Sequence, residues 1–152
     1  MNVIEHGYAQ FCTERFPFAS EEQIRLLETR IGAEFPPDYR RFVAEFNGGY
    51  FCEPDIEPVV ADCHRDRLTA LHGIGAPMRF AELANDADLG LFEENDPLEI
   101  LPIGVTMMGG LIILVMHDED AGAILLKKAR GGAYFLARGI EEFFGLLRSP
   151  DP

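Results

Sequence analysis

Residues 98–105, 111–117, 122–128 and 133–137 are four short apolar or β-rich runs set close together. Met108-Gly109-Gly110, Asp118-Glu119-Asp120-Ala121 and Arg130-Gly131-Gly132 separate them. Glycine-rich or acidic turns at this spacing suit an antiparallel meander, in which successive strands pair through tight connections. Whatever else the chain does, its C-terminal half is expected to be a sheet.

The preceding half is patterned differently. Ser20-Glu21-Glu22-Gln23 has the form of a capping box, with the hydroxyl accepting from one end and the Gln23 side chain reaching back. Ile24, Leu27 and Ile31 then share one helical face, and Gly32 follows where a left-handed residue is wanted. Pro36 and Pro37 suit a helix start, because the first amides have no intrahelical partner. Tyr39, Phe42, Val43 and Phe46 make an i, i+3, i+4, i+7 stripe, and Asn47-Gly48-Gly49 should stop it. Residues 57–61 and 68–74 read as strands, and residues 80–92 as a helical segment broken by Asn95-Asp96-Pro97. Ile140, Phe143, Phe144 and Leu147 repeat the helical spacing near the C-terminus. The expected class is α+β: an antiparallel sheet of about five to six strands, with N-terminal helices and a C-terminal helix packed on one side.

The 152 residues suit one domain with a single core, over residues 1–152. Cys12, Cys52 and Cys63 are odd in number and lack a Cys-x-x-Cys spacing, which reads as reduced thiols in a cytosolic protein. Residues 1–11 show no basic segment followed by an apolar run, so no secretory signal is expected. The longest apolar stretch, residues 111–116, is far shorter than the roughly 20 residues a membrane span needs. A cytoplasmic location is therefore expected.

The stretch "IRLLETRIGAEFPPDYRRFVAEFNGGYF", residues 24–51, resembles the N-terminal half of the SUKH superfamily, of the Smi/Knr cell-wall-assembly-regulator type. "LTALHGIG", "LPIGVTMMGGLIILVM" and "DAGAILL" match the later pattern in order, with Gly104, Gly109, Gly110 and Gly122 where it has its sheet turns. The resemblance is strongest over residues 20–147. Many members carry a central Trp and this chain has none. The resemblance implies a binding fold, not an enzyme, with no catalytic motif to carry over. Bacterial members look mostly like immunity proteins that neutralise polymorphic toxins, often nucleases; eukaryotic relatives look like regulatory interaction proteins.

Charge distribution agrees with binding. A formal charge of −13 disfavours contact with nucleic acid or anionic membrane and steers cationic partners inward. Residues 80–126 contain ten acids and no Lys or Arg; residues 42–64 contain five acids and again no base. The expected partner surface comprises Glu53, Asp55, Glu57, Asp62, Glu93, Glu94, Asp96, Glu99, Asp118, Glu119 and Asp120. Tyr50, Phe51 and Phe92 lie beside these acids as candidate apolar anchors. The leading expectation is stoichiometric neutralisation of a cognate cationic toxin. A regulatory interaction module with a non-toxin partner is the alternative, and a metal-dependent enzyme the third.

Sites of chemistry are poorly supported. His117-Asp118-Glu119-Asp120 and Cys63-His64 offer metal-ligand atoms, but neither has zinc or EF-hand spacing. None of the four histidines follows a Gly-x-Ser-x-Gly elbow, and the glycine pairs form no phosphate-binding loop. No catalytic residue, cofactor or metal is expected.

Overall fold

The computed structural model describes residues 2–57, 66–84 and 99–150. Among these, the helices are α1 (Val3–Phe11), α2 (Glu21–Ile31), α3 (Pro37–Glu45) and α4 (Ile140–Phe144). The strands are β1 (Cys12–Arg15), β2 (Gly49–Phe51), β3 (Asp55–Ile56), β4 (Asp66–Leu71), β5 (Ile100–Thr106), β6 (Leu111–Val115), β7 (Ile124–Lys127), β8 (Ala133–Ala137) and β9 (Leu147–Arg148).

All strand pairings are antiparallel, in the order β1-β2-β4-β5-β6-β7-β8, with β3 bonded to β4 and β9. The α+β class and the meander are as the sequence indicates. The strand count exceeds five to six because β1, β3 and β9 are two to four residues long, too short to show alternation.

Helix signals written in the sequence are realised in detail. The Ser20 hydroxyl accepts from the Gln23 amide at 3.1 Å, and the Gln23 side chain accepts from the Ser20 amide at 2.8 Å. Gly32 closes α2 at φ 74°. Asn47, Gly48 and Gly49 turn the chain out of α3 with φ of 53°, 78° and 151°. A Cβ on Gly48 would lie 2.5 Å from the Leu71 carbonyl oxygen, so this turn also needs glycine for its close approach to β4.

One layer of helices covers one sheet face. Leu68, Leu101, Ile112, Leu114, Ile124 and Leu126 meet Ile24, Leu27, Phe42 and Val43 in a single buried cluster. Because side chains alternate across a strand, Ile113, Leu125 and Phe135, paired in one row, point to the other face. Tyr8 of α1 stacks on Phe46 at 4.6 Å and on Phe144 at 5.6 Å, tying the N-terminal, third and last helices together. Glu28 is buried where α2 meets α3: it accepts from the Phe35 amide at 2.8 Å and from Arg40 Nε at 3.1 Å. This is a case of a buried charge held by a partner and a backbone donor.

Three expectations are corrected. Over residues 80–92, the described part is not an α-helix but a single 3-10 turn, Arg79–Ala81. The Gly73 amide takes the Ala81 carbonyl and the Gly73 carbonyl takes the Leu83 amide, so these groups are bonded across a bridge rather than along a helix. Leu147 is buried but not helical; α4 ends at Phe144, and Leu147 pairs with Ile56 in β9. The strands expected at 57–61 and 68–74 are shifted: β3 stops at Ile56, β4 spans Asp66–Leu71, and residues 58–61 lie outside the described residues.

Candidate functional site

Strand direction separates the molecule into two ends. At one end lie the β5–β6 turn at 107–110 and the β7–β8 turn at 128–132, beside the start of β4. At the other lie the start of β5, the β6–β7 turn at 116–123, the end of β4 and the chain leaving β1. Every described candidate residue is placed by this division.

The candidate acids do not form one face. Asp55 belongs to the first end and pairs with Arg67 Nε at 3.1 Å; Glu57, nearby, pairs with Arg148 Nε at 3.1 Å. Glu53 is half-buried at a turn with φ 56°. Glu99, Asp118, Glu119 and Asp120 gather at the second end, where the Met116 amide donates to the Glu99 carbonyl at 2.7 Å and brings the start of β5 against the hairpin. All four are exposed, and among the described residues none has an ion-pair partner. Their negative potential is therefore not cancelled locally, unlike that of Asp55 and Glu57. Asp62, Glu93, Glu94 and Asp96 lie outside the described residues, as does Phe92.

Of the candidate anchors, Phe51 is a core residue. It is 5% exposed and its ring stands edge-on to Tyr8 at 5.4 Å, so it is not available at the surface. Tyr50 is half-buried on β2, with Phe16 edge-on at 4.9 Å and Phe80 at 6.0 Å. The large exposed apolar side chains at this end are instead Phe18, Met78 and Phe80. They stand in Pro-marked loops, where no periodicity exists to single them out.

The first end holds a cleft of about 370 Å³ lined by Asp66, Met108, Gly110, Lys128, Ala129 and Arg130. Its one carboxylate is engaged. Asp66 accepts from Thr106 Oγ1 at 2.5 Å, from its neighbour's amide at 2.8 Å and from the Met108 amide at 3.2 Å. Thr106 Oγ1 in turn accepts from the Gly110 amide at 2.8 Å, so the group latches the β5–β6 turn to β4. Such a fully bonded carboxylate is built to hold a turn rather than to move a proton.

Reactive side chains are dispersed. His6 is exposed, His72 is buried and His117 is half-buried on the acidic hairpin. Burial brings the His72 imidazole down to about 4, against a smaller opposing pull from the Pro102 backbone. Burial likewise pushes the Cys12 thiol up, away from the reactive thiolate. Among the described residues no three His, Cys, Asp or Glu side chains converge as metal ligands. Cys63 and His64 lie outside the described residues. No helix among the described residues is long and apolar enough to cross a membrane.

Comparison with known proteins adds a family. No curated protein and no solved structure matches the chain. One family model does, over residues 19–145, a span that takes in the capping box, the Asn-Gly-Gly stop, the meander and most of α4. The chain belongs to the SMI1 / KNR4 family (SUKH-1).

Proposed function

We propose that this protein is an immunity-type binding protein that neutralises a cognate cationic toxin by stoichiometric protein–protein contact. The carrying observation is the cluster of Glu99, Asp118, Glu119 and Asp120 at one end of the sheet, exposed and without ion-pair partners among the described residues. Family membership supports it, because the family resembles non-catalytic binding proteins. A nuclease active site is a natural target: it is positively charged to hold phosphates, and a carboxylate-rich cap fits the same potential. Carboxylates at the rim act chiefly on encounter rate and partner choice, while apolar contacts slow dissociation.

The test is co-expression with the toxin-like protein encoded beside this gene. The expected result is rescue of growth and a 1:1 complex that survives size-exclusion chromatography. Lack of rescue together with lack of a complex would overturn the proposal and leave a regulatory module with a non-toxin partner as the alternative.

A further inference from the structure

The acidic end of the sheet also carries the protein's exposed aromatic loops. Phe18 is 72% exposed, Met78 54% and Phe80 47%, values unusual for side chains that gain so much by burial. Single exposed apolar residues need no explanation, but three on adjoining loops form a patch of the sort that marks an interaction site.

These loops are held in place from beneath. Asn47 has no exposed surface, and its side-chain amide donates to the Pro17 carbonyl at 2.7 Å and to the Ile74 carbonyl at 2.8 Å. Its oxygen accepts from the Ile74 amide at 2.8 Å, so one residue joins the 16–18 loop to the 74–80 loop. Glu82 fixes the second loop by accepting from the Gly75 and Ala76 amides at 2.9 and 2.7 Å. Below the surface, Phe16 is buried against Tyr50, and Tyr50 packs against Phe80. The patch is thus pre-organised, and a partner docking there would lose little ordering entropy to the loops.

Position relative to the carboxylates supplies the second half. The 73–83 loop leaves the end of β4, and the acidic turn leaves the end of β6 two strands away, a separation of about 10 Å at the usual strand spacing. A standard interface of about 800 Å² per partner spans both. Arg15 and Arg79 border the patch. The Arg15 guanidinium lies within 5.6 Å of the Phe18 ring and donates to the Glu45 carbonyl, so its charge is occupied within the protein.

Resting on the proposed capture of a cationic protein, we propose that Phe18, Met78 and Phe80 are the apolar anchor of that interface. They receive an aromatic or aliphatic side chain that the partner carries among its lysines or arginines. Tyr50 serves as the wall behind Phe80 rather than as a contact of its own.

Chemical-shift mapping with three unlabelled pentapeptides tests this: one alternating Lys with Phe, one alternating Lys with Ser, and one alternating Glu with Phe. The Lys–Phe peptide is expected to shift the amides of 16–18 and 75–80 together with those of 118–120. It should bind more tightly than the Lys–Ser peptide, and lose about tenfold in affinity in the Phe18→Ser, Met78→Ser double variant. Equal binding of the two Lys peptides, with the patch amides silent, overturns the anchor while leaving capture by the carboxylates standing. Patch shifts produced by the Glu–Phe peptide in preference to the Lys–Phe peptide overturn the anchor as well. If neither Lys peptide perturbs 118–120, the reading beneath it falls too. Mapping on the unmodified protein makes the result independent of whether the double variant folds.

Discussion

Asn47 has no exposed surface, sits at φ 53°, and uses both ends of its amide in three hydrogen bonds to two loops. Asn47→Ala removes those bonds, leaves buried backbone groups unsatisfied and places Ala in the left-handed region. A cost of about 2–5 kcal/mol in urea denaturation is expected, larger than for Asn47→Gly, which keeps the backbone conformation accessible. Tyr39 presents the opposite case. Its hydroxyl is buried with no hydrogen-bond partner among the described residues, and burial pushes its ionisation upward. Tyr39→Phe is therefore expected to be neutral or stabilising by up to about 1 kcal/mol; a clear loss in the same assay would show that the hydroxyl is satisfied. His72 gives a pH dependence. Its folded value of about 4 lies below the ordinary 6.5, so the unfolded chain takes up the proton first. Stability from a neutral His72 is complete above about pH 6.5 and is lost as pH falls toward 4. Between pH 7.5 and 4.5 the unmodified protein should lose about 2–3 kcal/mol more than a His72→Leu variant, measured by denaturant titration at both values.

At the scale of elements, signals that act within a few residues were legible, and those needing a distant partner were not. Ser20 and Gln23 define the start of α2 because both partners lie in one turn. Ser20→Ala should cost about 1 kcal/mol in thermal or chemical denaturation. Tyr39, Phe42, Val43 and Phe46 fall on one stripe, and all are buried. Phe42→Ala, at 2% exposure, should cost about 3–5 kcal/mol and abolish binding by unfolding. Helix α1 carried a readable cap, Asn2 accepting from the Glu5 amide at 2.9 Å, and an apolar face that includes Tyr8 and Phe11. Strand β1, by contrast, is Cys-Thr-Glu-Arg, with no pattern of its own; pairing with β2 makes it a strand. The same reason explains β3 and β9, which stabilise each other across 92 residues of sequence between Ile56 and Leu147-like pairing partners rather than by local propensity. The candidate site divides similarly. Acidity near 118–120 was plain from composition, whereas the neutralisation of Asp55 by Arg67 and of Glu57 by Arg148 depends on pairings that only the fold creates.

On the scale of the whole molecule, a net charge of −13 is less informative than its placement. Lys127, Lys128 and Arg130 stand at the opposite end of the meander from Glu99 and Asp118–Asp120, which gives the sheet an electrical direction along its strands. A cationic partner approaching at random is turned toward the acidic end before contact, and screening by salt weakens that bias. The most direct measurement is the association rate with the neighbouring gene's toxin domain, by stopped-flow over a range of salt concentrations. Replacing Asp118, Glu119 and Asp120 with Lys should slow association about tenfold or more at low salt, flatten its salt dependence and leave the thermal midpoint nearly unchanged. An association rate and salt dependence equal to those of the unmodified protein would contradict electrostatic capture at this end.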